Sequence, residues 1–419
     1  MRWPGATARV LIGLAAGALV GLSLAHWLPA TAGTAVAIAQ PLGKLWLSGL
    51  QMTVVPLVLS LVILGVATAS DAAASGRVAR RAMVVFIALL SLFAAYAAIV
   101  APLVLSMVPP SEALTATLRG TLPAAGAVAA PGLADWIGSV VPSNAIMAAA
   151  QGAMLPVVVF ALFFGFALTR VQEDRRAQII GFCHGIADTM IVIVRWMLLA
   201  APIGVFALVL AVCAQAGIGV IGALAGYIAL QCGMYLGATL ICYVLVAVLA
   251  RQSPLAFAKA ILPAQVVAAS TQSSLASLPA MVESARFRLG HPRAVAALVL
   301  PMAVTLFRIT SPIQYIVAAC FVAWAYGIDV NAVTLAAGAA LAVVISLGSI
   351  GLPGQVSFMA TVMPVTQSMG LPIEPLGLLL AVDTIPDVFA TTGNVTGDLA
   401  ATTIVAKQSP EASDPPTAG

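Results

Sequence analysis

Five polar residues near the end of the chain have types and spacing suited to ion or solute chemistry: Asp383, Asp387, Thr391, Asn394 and Asp398. Counted from Asp383 they stand 4, 8, 11 and 15 residues along, which at 3.6 residues per turn is one face of one helix. The segment that holds them, 372–407, is long and otherwise largely apolar. Carboxylates, a hydroxyl and an amide are expensive in hydrocarbon, so such a face turns inward in a helix bundle and marks a substrate or ion path. A purely structural hydrogen-bonded stripe is the competing reading. Pro386 lies within the face and should free a carbonyl and kink the helix. Arg308, in the string FRITSP of segment 294–326, is the corresponding cation. A guanidinium stays charged, so it needs a partner, and the aspartates of 372–407 are the candidates. An arginine snorkelling from a helix end to the interface is the alternative.

The elements that position these residues are apolar segments near 8–28, 41–69, 82–108, 142–169, 178–212, 218–250, 294–326 and 372–407. Two further segments are interrupted: 259–291 by STQSSLASLP and 332–370 by SLGSIGLPG. Unpaired backbone at membrane depth survives only inside protein or beside a water-filled cavity. A pair of interrupted segments is the strongest sequence pointer to a transporter binding site. Their half-helix ends offer N–H donors to an anion and C=O acceptors to a cation. Ordinary loops between short helices are the plainer alternative.

Of 419 residues, 62% are hydrophobic and only 8% charged, against about 25% in soluble domains. So few charges cannot cover a water-facing surface, and the chain reads as one multi-pass domain in a lipid bilayer. The net charge of +4 is positional. Arg77, Arg80 and Arg81, then Arg170, Arg175 and Arg176, then Arg251 and Lys259, then Arg286, Arg288 and Arg293, and finally Lys407 cluster between apolar segments, while 109–140 and 213–220 are nearly free of Lys and Arg. This positive-inside pattern places the basic loops and both termini in the cytoplasm and argues against a nucleic-acid surface. Segment 109–141 reads as an external loop, and 408–419 as a disordered cytoplasmic tail. The five cysteines include no C-x-x-C pair, so no metal site is expected from them. The run Val10–Leu28 is long for a signal peptide and reads as the first span.

Beyond these residues, whole strings resemble the dicarboxylate/amino acid:cation symporter family, which includes the glutamate transporters. They run from PLGKLWLSGLQMTVVPLVLS through PSNAIMAAAQGAMLPVVVFALFFGFAL and LAAPIGVFAL to NVTGDLAATTIVAK. The resemblance implies an all-α integral membrane fold of the glutamate-transporter type, with eight transmembrane helices and two re-entrant helical hairpins. It implies a transporter domain over 1–407, with scaffold helices mainly within 1–250 and a substrate- and ion-binding core within 251–407 plus the third span. It also implies a secondary symporter of a small amino acid or dicarboxylate in a cell (inner) membrane, a homotrimer and an elevator-type movement.

Carried over residue by residue, the resemblance assigns Ser273 and Ser274 to the tip of the first hairpin, near a substrate carboxylate. Ser346, Ser349, Gly351, Pro353 and Gly354 belong to the gating tip of the second. Asp387 matches the carboxylate that holds a substrate amino group, Thr391 and Asn394 match substrate contacts, and Asp398 matches a sodium ligand. Arg308 and Ser311 join the expected substrate site, and Asp383, Asn394 and Thr305 join Asp398 in ion coupling. The departures are specific. The family's NMDGT string reads FRITS, so two sodium ligands fall on Phe307 and Ile309, and Leu89 and Leu90 stand where further ligands are found. Hard cations need oxygen ligands, so at least one sodium site is expected to be lost, leaving a residual site at Asp398 or coupling to H+. No other cofactor is expected. The arginine that holds an acidic side chain falls on Ala390. A carrier-derived channel or a non-transporting sensor is the alternative function. A membrane-embedded enzyme is disfavoured, because no H-E-x-x-H motif and no nucleophile–base pair is present.

Overall fold

The computed structural model describes residues 6–74, 76–108, 110, 115, 140–217, 219–348 and 354–409. All regular secondary structure among them is helical, as a lipid solvent requires of an open chain that must satisfy its own backbone. The first half contains α1 (Ala6–Trp27), α2 (Pro29–Gln51), α3 (Val54–Ala74), α4 (Arg77–Ser106), α5 (Ala145–Ala150), α6 (Met154–Leu168), α7 (Glu173–Leu199), α8 (Ala201–Ala216) and α9 (Gly219–Leu249). The second half contains α10 (Pro254–Thr271), α11 (Ser274–Glu283), one π-helical turn (Ser284–Arg288), α12 (Arg293–Leu306), α13 (Thr310–Tyr326), α14 (Ala332–Gly348), α15 (Gly354–Ser368), α16 (Leu376–Val382) and α17 (Thr384–Gln408).

The expected all-helical membrane fold is present. Among the described residues, seven stretches are long and apolar enough to cross a bilayer, or eight if the bent pair α16–α17 is one span. Five expected spans are subdivided: 41–69 at Met52–Thr53, 294–326 at Phe307–Ile309, 372–407 at Asp383, and two others. Segment 178–212 breaks at Ala200, because Pro202 in the first turn of α8 has no N–H to continue α7. Segment 142–169 breaks at Gln151–Ala153 between α5 and α6. The external loop expected at 109–141 and the tail from 410 lie almost wholly outside the described residues.

α1 lies along α8 through glycines at every fourth position. A Cβ on Gly17 would stand 2.6 Å from the Phe206 carbonyl oxygen, and one on Gly21 2.7 Å from that of Leu210. Small residues let helices approach where lipid removes the hydrophobic drive to associate. The second half builds the site around α17, which is packed by α4, α9, α10, α11, α12 and α13. Residues 393–405 of α17 are all buried, so its polar groups face protein and not lipid.

Candidate functional site

Three breaks position the site. The first is the tip between α10 and α11, where Gln272 takes a left-handed conformation (φ 50°). Ser273 then caps α11 by accepting from the Ala276 N–H at 3.2 Å. The second lies between α12 and α13, where Phe307 is extended (φ −130°, ψ 106°) and Arg308 follows outside either helix. The third is a 72° bend between α16 and α17. Pro386 has no N–H for the Val382 carbonyl four residues earlier, and its ring crowds that carbonyl. The helix therefore turns at Asp383, three residues before the proline.

The second break is tied to α17 by two hydrogen bonds. Thr310 donates its backbone N–H and its hydroxyl to Asn394 Oδ1, each at 3.0 Å. A backbone N–H can only donate, which fixes the amide oxygen on that side. The Asn394 oxygen is thus occupied, and its NH2 group is the part left to meet a solute. That group suits a carboxylate or carbonyl acceptor rather than a cation.

Asp398 lies one turn further along α17 and is fully buried. Neither of its carboxylate oxygens has a hydrogen-bond partner among the described residues. A buried carboxylate in this state requires a nearby positive charge, a bound cation or a proton. The charge of Arg308 acts on both Asp398 and Asp387. Ser311 is buried and donates its N–H to the Arg308 carbonyl at 3.0 Å, holding the turn that presents the guanidinium. Thr391 is buried between Asp387 and Asn394. The Thr305 hydroxyl donates to the Pro301 carbonyl at 2.7 Å, so its hydrogen is engaged within α12.

The two non-polar substitutions in FRITS are packed as core. Phe307 stacks on Phe86 of α4, with ring centroids 4.6 Å apart and planes 12° from parallel. Ile309 lies against Gly397, where an added Cβ would come within 2.8 Å of it. Leu89 and Leu90 are buried beside them in the same apolar cluster. Hydrocarbon fills this region of the bundle.

The first hairpin meets the start of α17 through Gln272, whose Nε2 donates to the Thr384 carbonyl at 3.3 Å. That places Ser273 and Ser274 near the Asp387 turn. The Ser274 hydroxyl is buried without a hydrogen-bond partner among the described residues, a polar atom suited to a bound ligand. Of the second hairpin, Ser346 is buried near the end of α14. Ser349, Gly351 and Pro353 lie outside the described residues, and Gly354 is the first residue of α15. The base of that tip is held against α3, since a Cβ on Gly348 would meet the Leu61 carbonyl oxygen at 2.9 Å.

Asp383 stands at the start of α17, one helical turn before Asp387, whose N–H bonds the Asp383 carbonyl at 3.0 Å. There Gln314 Nε2 of α13 donates to its Oδ1 at 2.8 Å. Gln314, Thr310 and Gln272 were not singled out by the sequence reading. The signal was available, because Thr310 and Gln314 are a polar i, i+4 pair in an apolar segment, the same anomaly that identified Asp383 and Asp387. A separate apolar cavity of about 690 Å³ lies between α4, α9 and α13, lined by Gly226, Gly233, Phe321 and Trp324 among others. Its Tyr96 hydroxyl is engaged with the Met234 carbonyl, so it offers a carboxylate little.

The sequence was compared with known proteins. A family model described as the sodium:dicarboxylate symporter family matches residues 6–408. The proton/glutamate-aspartate symporter of Escherichia coli (strain K12) is 28% identical over 407 residues, which cover 95% of this chain and 92% of that protein. The proton/sodium-glutamate symport protein of Bacillus subtilis (strain 168) is 26% identical over 412 residues, 96% of this chain and 92% of the relative. The C4-dicarboxylate transport protein of Rhizobium leguminosarum is 27% identical over 407 residues, 95% of this chain and 88% of the relative.

Proposed function

Because the chain belongs to the sodium:dicarboxylate symporter family, we propose that it is a secondary symporter of a small carboxylate, an amino acid or a dicarboxylate, in which Arg308 replaces a coupling cation beside Asp387 and Asp398. The observation that carries the reading is the break at Phe307–Ile309. It carries a guanidinium whose charge acts on both carboxylates, and the Thr310 N–H that follows it fixes the Asn394 amide. A guanidinium has five donors in a planar fork. It can offset a buried carboxylate and still offer a bidentate face to the carboxylate of a substrate. Ser273, Ser274, Ser311, Thr391 and, from the second hairpin, Ser346, Ser349, Gly351, Pro353 and Gly354 complete the proposed substrate site.

The apolar packing of Phe307, Ile309, Leu89 and Leu90 supports the loss of one hard-cation site and a shift from sodium toward proton coupling. Relatives named as proton-coupled and as proton/sodium-coupled symporters support the same range. The elevator-type movement, the homotrimer and the cell (inner) membrane rest on the family. Cytoplasmic termini rest on the basic loops.

The test is thermal stabilisation of the purified protein by acidic and neutral amino acids and dicarboxylates, in sodium and in potassium buffers, since a ligand stabilises the state it binds. A stabilising ligand should act equally in both buffers, and Arg308→Met should abolish its uptake into proteoliposomes. A strict sodium requirement, or undiminished sodium-independent uptake by Arg308→Met, defeats the reading.

A further inference from the structure

A second polar group gathers around Asp383, at the start of α17. Asp383 is buried at the bend, with Oδ1 accepting from Gln314. α9 packs against α16 and α17 there and carries Tyr227, Gln231 and Tyr235, one turn apart on one face and all buried. Gln231 donates its amide to the Tyr235 hydroxyl. Two atoms of this group, Tyr227 Oη and Gln231 Oε1, are fully buried without a hydrogen-bond partner among the described residues. The carboxylate of Asp383 acts electrostatically on both tyrosines, which places the three residues in one neighbourhood.

The titratable and charged groups around Asp383 are few. Its own helix presents Asp387. α9 presents Tyr227 and Tyr235, with Cys232 next to Tyr227. α13 presents the neutral Gln314, and the first hairpin reaches the start of α17 through the neutral Gln272. The contrast with the other end of the stripe is sharp, because there Arg308 acts on Asp387 and Asp398.

We propose that Asp383, Gln314, Gln231, Tyr227 and Tyr235 form a proton-binding site, in which the carboxylate of Asp383 takes up one proton from water on one side of the membrane, crosses with the substrate as a neutral acid and gives the proton back to water on the other side. The chemistry of the partners selects a proton over a metal cation. Gln314 points an N–H2 donor at the carboxylate, and a donor repels a metal ion while it tolerates a carboxylic acid. Oδ1 already accepts, so the proton goes to Oδ2 and turns that atom from acceptor to donor. The orphaned Gln231 Oε1 is an acceptor in need of a donor, and Tyr227 Oη can either accept or relay. Burying the acid form is far cheaper than burying the ion. Asp383 stands at the first residue before α17, beside the bend, with its carboxylate engaged by Gln314 and not by the N–H groups of its own helix. This inference rests on the proton coupling proposed above, and names where the proton sits.

Infrared spectroscopy of the purified protein across a pH titration tests it without any substrate. The wild type should show a band of a buried protonated carboxylic acid that disappears in Asp383→Asn. The same band should shift in Gln231→Leu, where an acceptor is removed. In proteoliposomes with an entrapped pH dye, the ratio of protons to substrate moved should fall toward zero in Asp383→Asn. A band that survives Asp383→Asn, or a proton-to-substrate ratio equal to wild type, overturns the proposal. If Asp383→Asn does not insert, a band unmoved by Gln231→Leu overturns it. Failure of every carboxylate to be transported would instead defeat the functional reading, and leave the infrared result to stand or fall separately.

Discussion

Replacing Thr310 by valine tests how the Asn394 amide is aimed. Valine keeps the volume of threonine and deletes only the hydroxyl, one of two donors that reach Asn394 Oδ1 at 3.0 Å. A neutral hydrogen bond of this kind contributes about 0.5–1.5 kcal/mol net. The remaining backbone donor keeps the amide oxygen from becoming a buried orphan, so no further desolvation penalty applies. Since ~1.4 kcal/mol is tenfold in an equilibrium constant, substrate affinity in Thr310→Val should weaken by no more than about tenfold, with the folded protein retained. Asn394→Leu differs in kind. It removes the NH2 that faces the solute and leaves the buried Thr310 N–H without an acceptor, which costs about 1–3 kcal/mol in addition to the lost substrate contact. Uptake by that variant should be undetectable. The assay is substrate titration by thermal shift and initial uptake rate in proteoliposomes for both variants. If Thr310→Val loses all uptake while folding normally, or Asn394→Leu retains wild-type affinity, the assignment of the amide is wrong.

Two further expectations concern stability. Gly17→Ala drives a Cβ against the Phe206 carbonyl, whereas Gly33→Ala in α2 meets nothing within 4 Å. The first should cost ~1–3 kcal/mol and the second nothing, read as the difference between their melting temperatures in detergent. Equal shifts would mean that α1 and α8 are not held this closely. His291 lies in the turn before α12, hydrogen-bonded to Thr403 at 2.9 Å, and burial pushes its imidazole down to about 4 from the usual 6.5. The folded state therefore holds the neutral ring while the unfolded state takes a proton. Its contribution is intact above pH 6.5 and is lost progressively as pH falls toward 4. His291→Gln should show a smaller loss of melting temperature between neutral and acidic buffer than wild type, and parallel loss in both would refute the role.

The membrane class, the helical fold and the polar face of α17 were legible because each rests on one-dimensional signals: apolar run length, charge scarcity and residue spacing. The bend was legible from Pro386, which acts on the carbonyl four residues before it, so the helix turns at Asp383. The partner of Asp383 was not legible, because Gln314 lies 69 residues away on another helix. The division of 178–212 was hidden because both sides of Ala200 are apolar, and only Pro202 marked it. The orientation of Asn394 depends on Thr310, 84 residues away, and no local pattern records a bond of that separation. The packing of Phe307 on Phe86 has the same character. The sequence shows that an oxygen ligand is missing, but not that an aromatic stack occupies the space.

These placements bear on how transport would be driven. A bound cation can neutralise Asp398 on the inward journey and leave on release, so its gradient does work. On the proposed reading Arg308 stands in for that cation but cannot leave, and its guanidinium cannot be deprotonated in a protein. A fixed cation eases the burial of Asp398 and contributes nothing to coupling. The group that couples must change its own charge once per cycle. Around α17 the candidates are carboxylates, and Asp387 and Asp398 are the two whose charge Arg308 offsets. Asp383 faces neutral partners across the bend, and so is the carboxylate for which gaining a proton matters most. On the proposed reading, substitution of a cation site by an arginine and the neutral setting of Asp383 are linked. The first removes one coupling ion, and the second, built by Gln314, provides a carboxylate that can supply another.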